Sequence, residues 1–113
     1  MRKMIMVIWL AGLAAGCATT VEPAGTARKP SLFEAHGREV AQLRCAGCHS
    51  VDTYTTSPRS VAPAFRDFSI RFNSLTWERK MAEIAEGGHD EMPPLRLDDV
   101  EIRDVRAFIE SLR

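Results

Sequence analysis

Two cysteines and a histidine in the middle of the chain have a spacing that indicates covalent attachment of a metal cofactor. The segment 44–50 reads Arg-Cys-Ala-Gly-Cys-His-Ser, so Cys45, Cys48 and His49 form a Cys-x-x-Cys-His pattern. This pattern is typical of c-type haem attachment, in which the two thiols form thioether bonds to the vinyl groups of one haem. The adjacent imidazole of His49 is then placed to bind the haem iron on the proximal side.

Cys-x-x-Cys on its own also occurs in disulfide redox pairs and in zinc sites, and both are alternatives here. A redox pair of the thioredoxin type lies in a βαβ pattern, whereas the flanking segments of this chain predict helices. A four-ligand zinc site needs two further Cys or His at short spacing, but His36 and His89 are far apart. The sequence therefore favours haem over both alternatives.

An iron with one protein ligand has a distal position to fill, and Met92 is the favoured candidate for it. Met92 lies in a turn-rich segment, where Pro93 and Pro94 stiffen the chain and keep the thioether out of a helix. Met81 and His89 are rivals, although Met81 falls on a helical stripe where core packing is the usual role. His36 lies one position off the apolar stripe of its helix, so we expect it to face solvent.

Three main helices are predicted to position these residues, which gives an all-α fold. Ser31 and Asp98 begin capping-box patterns, because each is followed three residues later by Glu. Ser74 or Thr76 is available to cap the middle helix, and two glycines follow its end. The predicted helices span about Ser31–Leu43, Leu75–Glu86 and Asp98–Leu112.

The segment 50–73 is predicted to be a long loop, because it is rich in Ser, Thr, Pro and Arg. Its apolar side chains are suited to cover one side of a haem, and they suit an ordinary core nearly as well. These side chains are Val61, Pro63, Phe65, Phe68, Ile70 and Phe72.

The N-terminal residues predict export. Residues 1–16 combine two basic residues, a short apolar run and small residues, as in a secretory signal peptide, and the run is too short to span a bilayer. The segment 13–17 resembles a bacterial lipobox, which predicts a lipid anchor on Cys17, although Ala14 stands where Leu is preferred. An ordinary signal peptide with an incidental Cys17 is the alternative. Residues 17–30 then form the anchor and a flexible tether, and the protein is expected in the periplasm on a membrane.

Length and charge limit the remaining possibilities. The chain has 113 residues with equal numbers of acidic and basic side chains, so no basic surface argues for nucleic-acid binding. Residues 31–113 are sufficient for one small domain, and a domain of this size buries little protein core by itself. We therefore expect a bound haem to be part of the folded core.

The domain from about Ser31 to Arg113 resembles class I monohaem cytochromes c, since the Cys45–His49 motif follows the first helix and Met92-Pro93 precedes the last. The resemblance implies one covalent haem c with its iron bound by His49 and Met92. It also implies that the terminal helices cross, with Gly37 near Phe108 or Ile109. The carbonyl of Pro63 is expected to accept a hydrogen bond from His49. Trp77 is expected either to contact a haem propionate or to pack in the core.

The function expected from this resemblance is electron transfer without enzymatic activity. An iron with both axial positions filled by the protein has no open position for a substrate. The expected partners are redox proteins such as a dehydrogenase, an oxidase or another cytochrome, and the protein is expected to be monomeric. The alternatives are a cytochrome subunit or docking module of a periplasmic oxidoreductase and, less favoured, a haem enzyme or sensor with an open distal site.

Overall fold

The computed structural model describes residues 28–113, and within this range the regular secondary structure consists of four α-helices. The predicted signal peptide, Cys17 and most of the predicted tether lie outside the described residues. Between residues 28 and 113 no helix is long and apolar enough to span a membrane. The helices are α1 (Leu32–Arg44), α2 (Phe65–Arg71), α3 (Ser74–Gly87) and α4 (Asp99–Ser111).

Reciprocal caps begin three of these helices. Ser31 and Asp98 each accept a hydrogen bond from the backbone N–H three residues later, and the Glu at that position bonds back, as predicted. The predicted cap of α3 was wrong, because Asn73 is the N-cap and forms a reciprocal pair with Thr76. The side chain of Asn73 satisfies the free N–H of Thr76, so α3 begins at Ser74.

The helix α2 lies in the segment that the sequence predicts to be a loop. It has only seven residues, and its N-cap Ala64 makes no side-chain cap bond, so no local signal marks its start. Its stability comes from packing of aromatic rings: Phe65 is buried, and Phe68 lies 5.3 Å from Phe65 and 5.7 Å from His49 between ring centroids. The opposite face of α2 carries Ile70, which is 87% exposed, so the expectation that Ile70 covers the cofactor was wrong.

The helices α1 and α4 cross in close contact at Gly37. A Cβ atom at Gly37 would collide with the backbone of Asp104 and Val105, so only glycine permits this approach. The crossing itself confirms the expectation from the resemblance. The predicted neighbours Phe108 and Ile109 were wrong, because the point of contact lies about one helical turn earlier on α4.

The core lies between α1, α3 and α4. Phe108 and Val105 on α4 are almost completely buried, and Val40 and Ala41 of α1 pack in the same cluster. Met81 is 5% exposed, which confirms its role in the core. Phe33 falls on the predicted apolar stripe of α1 but is 54% exposed, and the guanidinium carbon of Arg103 lies 4.7 Å from its ring centroid. The core therefore covers only the C-terminal part of the α1 stripe.

Candidate functional site

The Cys-x-x-Cys-His motif forms a tight turn that continues directly from α1. The backbone N–H of Cys45 donates to the carbonyl of Ala41 at 2.9 Å, and the N–H groups of Cys48 and His49 donate to the carbonyl of Cys45 at 3.1 and 2.9 Å. This turn brings two thiols and one imidazole to the same cavity. Since α1 is fixed against α4 at Gly37, the position of the motif is set by the rigid part of the fold.

The ring of His49 is held in one orientation by a backbone carbonyl. Its Nδ1 lies 2.7 Å from the carbonyl oxygen of Pro63, which is the contact expected from the resemblance. Because a carbonyl oxygen only accepts, Nδ1 carries the proton, and the lone pair of Nε2 is left for a metal. The rings of Phe65 and Phe68 lie 5.6 and 5.7 Å from the imidazole, and His49 is 8% exposed. The chain thus presents a buried and oriented histidine.

Met92 is brought to the same cavity by a turn that follows α3. Its backbone N–H donates to the carbonyl of His89 at 2.7 Å, and the N–H of His89 donates to the carbonyl of Met92 at 3.0 Å. The turn begins at Gly88, which has φ of +67° and lies too close to the carbonyl of Met92 for a Cβ. The N–H groups of Gly88 and Leu95 both donate to the carbonyl of Ile84, which fixes both ends of the turn at the end of α3.

The cavity consists of two adjoining lobes of about 360 and 270 Å³. Both lobes are lined by Cys45, His49, Pro63 and Met92, and the larger one also by Cys48. Their combined size lies in the range of protein sites for small molecules and cofactors. The remaining lining residues are mainly apolar and include Val61, Ala62, Phe65, Phe68, Phe72, Met81, Ile84, Leu95 and Leu97.

The side chains predicted to cover the cofactor divide into two groups. Ile70 does not line the cavity, whereas the other five side chains do: Val61, Pro63, Phe65, Phe68 and Phe72. Phe65 both lines the cavity and belongs to the buried core.

The indole N–H of Trp77 forms a hydrogen bond within the protein. Its Nε1 donates to the carbonyl of Ile102 at 3.1 Å, and the side chain is buried in the core cluster at 6% exposure. The ring also lines the smaller lobe. The core role is therefore the one that the structure supports for Trp77, and its only hydrogen-bond donor is already engaged.

The electrostatics of the thiols argue against a disulfide redox pair. Burial raises the pKa of the Cys45 thiol to about 11, so this thiol is neutral at physiological pH. Attacking thiols of disulfide oxidoreductases have lowered pKa values, which is the opposite shift. No disulfide joins Cys45 to Cys48 in the structure.

The described part of the chain gives no support to a zinc site. Among residues 28–113, no group of three or more His, Cys, Asp or Glu is placed so that it could hold a metal ion. A four-ligand structural zinc site needs such a group. The donor set of the cavity is instead two thiols, one oriented imidazole and one thioether, which matches the attachment and axial ligation of a c-type haem.

Charged side chains connect the segments of chain on either side of the larger lobe, one near residue 59 and the other near residues 91–96. Nη1 of Arg59 lies 2.8 Å from Oε2 of Glu91, and the backbone N–H of Arg59 donates to the carbonyl of Cys48 at 3.2 Å. Nη2 of Arg44 donates to the carbonyl of Arg96 at 2.9 Å. Sequence reasoning missed these contacts, because nothing local to either loop indicates its partner.

His36 lies away from the cavity. It is exposed as predicted, with 44% of its side chain accessible, but its Nδ1 lies 2.7 Å from Oδ2 of Asp104. Asp104 is 3% exposed and also accepts from Arg103 at 2.8 Å. Sequence reasoning missed this pair, in which only Asp104 is buried. A sign of this contact in the sequence is the acidic residue Asp104, which directly precedes the buried Val105 of α4.

Comparison with models of protein families gives a match to the family described as Cytochrome c over residues 34–113. Comparisons with curated proteins and with solved structures give no match. The matched range covers well over half of the chain and includes the Cys45–His49 motif, the turn with Met92 and all of α2, α3 and α4. It begins within α1 and extends to the last residue.

Proposed function

Since the chain belongs to the cytochrome c family, we propose that it is a one-electron carrier whose haem iron is bound by His49 and Met92. Family membership makes the chain a haem-binding electron-transfer protein with covalently bound haem c. The bound haem supplies a one-electron Fe(III)/Fe(II) couple. The observation that carries the axial ligand assignment is that His49, Met92 and both thiols line one cavity.

Each residue of the cavity has a distinct role in this proposal. Cys45 and Cys48 fix the cofactor by thioether bonds, and their place on the turn after α1 sets its orientation. His49 binds the iron through Nε2, while its Nδ1–H donates to Pro63 and so increases the basicity of the ring. Met92 would hold the iron through its thioether, a soft ligand that favours Fe(II) and raises the reduction potential.

The apolar lining supports electron transfer rather than catalysis at the iron. Phe65, Phe68 and Ile84 line the smaller lobe, and their apolar side chains would keep water away from a haem bound there. With both axial positions occupied, the iron offers no open position to a substrate. The partners in this proposal are redox proteins that exchange single electrons at the cavity edge, and the protein acts as a monomer of the class I type.

We further propose that the protein is exported to the periplasm and held at a membrane through a lipid on Cys17. This part rests on the sequence of residues 1–17 alone. Cys17→Ser is expected to move the haem-loaded protein from the membrane fraction to the soluble periplasmic fraction. Soluble behaviour of the unsubstituted protein would leave an ordinary signal peptide instead.

The axial ligation is tested by optical spectra of the haem-loaded protein. We expect a weak sulfur-to-iron band near the red end of the oxidised spectrum, absent in Met92→Ala and retained in Met81→Ala. Met81 is the matched control because it is a buried methionine that also borders the smaller lobe. Met92→Ala is expected to lower the reduction potential. An unchanged spectrum and potential in Met92→Ala would overturn the assignment. If the unsubstituted protein also binds carbon monoxide readily, the result would favour an enzyme or sensor with an open site.

A further inference from the structure

The turn after α3 presents two ligand-type side chains to the cavity, and the proposed function uses only one of them. His89 and Met92 are directly opposite each other in an antiparallel bridge. Opposed residues of such a pair project from the same face, with Cβ atoms about 4.5–5.5 Å apart. Both residues line both lobes of the cavity. An imidazole and a thioether therefore approach the same space from one turn.

One ring nitrogen of His89 lies beside a carboxylate at the edge of the cavity, where the side chains of His89 and Asp90 are 42% and 93% exposed. Nδ1 of His89 lies 3.3 Å from Oδ2 of Asp90. A carboxylate accepts a hydrogen bond, so this contact favours the proton on Nδ1 and leaves the lone pair on Nε2. Histidines that bind metals usually donate their other ring N–H to a carboxylate or carbonyl in this way. His36 also faces a carboxylate, that of Asp104, but it is not among the residues that line the cavity.

The turn that carries His89 and Met92 is fixed at both of its ends. The two ends are fixed to the carbonyl of Ile84 through the N–H groups of Gly88 and Leu95. His89 and Met92 both lie between these anchors and are paired with each other. Both side chains are thus carried by one turn whose two ends are fixed at the end of α3.

We propose that His89 is a second distal ligand, whose Nε2 binds the haem iron when the thioether of Met92 is not bound. This inference rests on the proposed function, in which Met92 is the ordinary distal ligand. Imidazole lacks the preference of a thioether for Fe(II), so the form with two histidines has the lower reduction potential. The distal position is thereby kept closed to small molecules in both ligation states.

The test compares haem-loaded variants in the ferric state by electron paramagnetic resonance and optical spectroscopy. Met92→Ala is expected to give a low-spin iron with two imidazole ligands, and Met92→Ala with His89→Gln a high-spin iron. Met92→Ala with Lys80→Ala is the matched control, because Lys80 is another nitrogen donor that borders the smaller lobe. This control is expected to stay low-spin.

A second measurement is carbon monoxide binding by the ferrous protein. If His89 fills about nine distal positions in ten, removing it tightens the apparent affinity of the ferrous Met92→Ala protein for carbon monoxide about tenfold.

Three results would overturn the inference, and they separate it from the proposed function. If Met92→Ala loses the sulfur-to-iron band but is already high-spin, His89 does not bind and the role of Met92 stands. If the low-spin form disappears with Lys80→Ala, the second ligand is Lys80. If His89→Gln alone abolishes the low-spin form while Met92→Ala changes nothing, His89 is the sole distal ligand and the assignment of Met92 fails instead.

Discussion

The two sides of the cavity are held in different ways. The proximal side, formed by residues 45–49 and Pro63, continues from α1, and its histidine is buried and fixed by a 2.7 Å contact to a carbonyl. The distal turn, residues 88–95, is tied to the end of α3 by backbone bonds and begins at a glycine with positive φ. The comparison indicates that the fold determines the proximal ligand rigidly, whereas the distal ligand depends on the conformation of one short turn.

The largest effect is expected from removal of the proximal ligand. His49→Ala should fail to accumulate as folded, haem-loaded protein, because a domain of this size needs the cofactor as part of its core. Met92→Ala should keep its covalent haem and helical content. The measurements are haem retained after acid-acetone extraction and thermal unfolding followed by circular dichroism. Equal stability of the two variants would contradict the difference between the sides.

The rigidity of the proximal side is expected to depend on the crossing of α1 and α4. Gly37→Ala forces a Cβ against the backbone of Asp104, and the required shift of the helices should cost about 1–3 kcal/mol. Gly87→Ala in α3 is the control, since a Cβ there meets no atom within 4 Å. This control should be neutral or stabilising by up to about 1 kcal/mol. Denaturant unfolding of both variants measures the difference, and a tolerated Gly37→Ala would mean that the crossing is loose.

The stability of the same crossing is expected to depend on pH, because the buried carboxylate of Asp104 lies there beside His36 and Arg103. Burial acts to raise the pKa of Asp104, but hydrogen bonds from His36 and Arg103 outweigh it, so the pKa lies below its usual 3.8. The stabilisation from this carboxylate is thus present above pH 3.8 and is lost as the pH falls through the lowered pKa.

Asp104→Asn should therefore destabilise the protein by roughly 1–3 kcal/mol at neutral pH, because it removes the charge-assisted bonds to His36 and Arg103. The difference from the unsubstituted protein should shrink in acid. Thermal unfolding measured from neutral pH down to pH below 3.8 tests this expectation. A constant difference across that range would show that the carboxylate charge does not contribute.

Replacement of Gly88, the first residue of the distal turn, is expected to disturb the position of Met92. Gly88→Ala places an L-residue at φ of +67° and ψ of −164°, a region essentially restricted to glycine, at a conformational cost of about 1–3 kcal/mol. It also places a Cβ against the carbonyl of Met92. The sulfur-to-iron band should weaken while the covalent haem is retained. Gly87→Ala, one residue earlier and outside the cavity lining, has open space around the new Cβ and should leave the band unchanged. A strong band in Gly88→Ala would show that the turn is not conformationally sensitive.

The smallest effect is expected from the ion pair that joins the two loops. Arg59 and Glu91 are both more than half exposed, so Arg59→Gln should change the unfolding free energy by less than about 1 kcal/mol. The change should diminish further with added salt. A double-mutant cycle with Glu91→Gln, measured at low and high salt, isolates the pair. A large coupling that resists salt would show that the pair closes the cavity edge more tightly than its exposure indicates.

Features set by neighbouring residues could be predicted from the sequence. The Cys45–His49 motif is one turn of chain, and the caps at Ser31 and Asp98 join residues three positions apart, so both were found with their correct partners. The capping residue of α3 was missed, although Asn73 is equally local, because Ser74 and Thr76 offered competing side chains for the same role.

Features that join distant parts of the chain were decided only by the tertiary structure. The short helix α2 exists because its aromatic rings pack around His49, and its own residues carry no cap. The crossing point at Asp104 and the pair of Arg59 with Glu91 depend on how helices and loops settle against one another across many residues. Periodicity fixes which face of a helix is apolar, but the position of contact along that face follows from the packing of all side chains together.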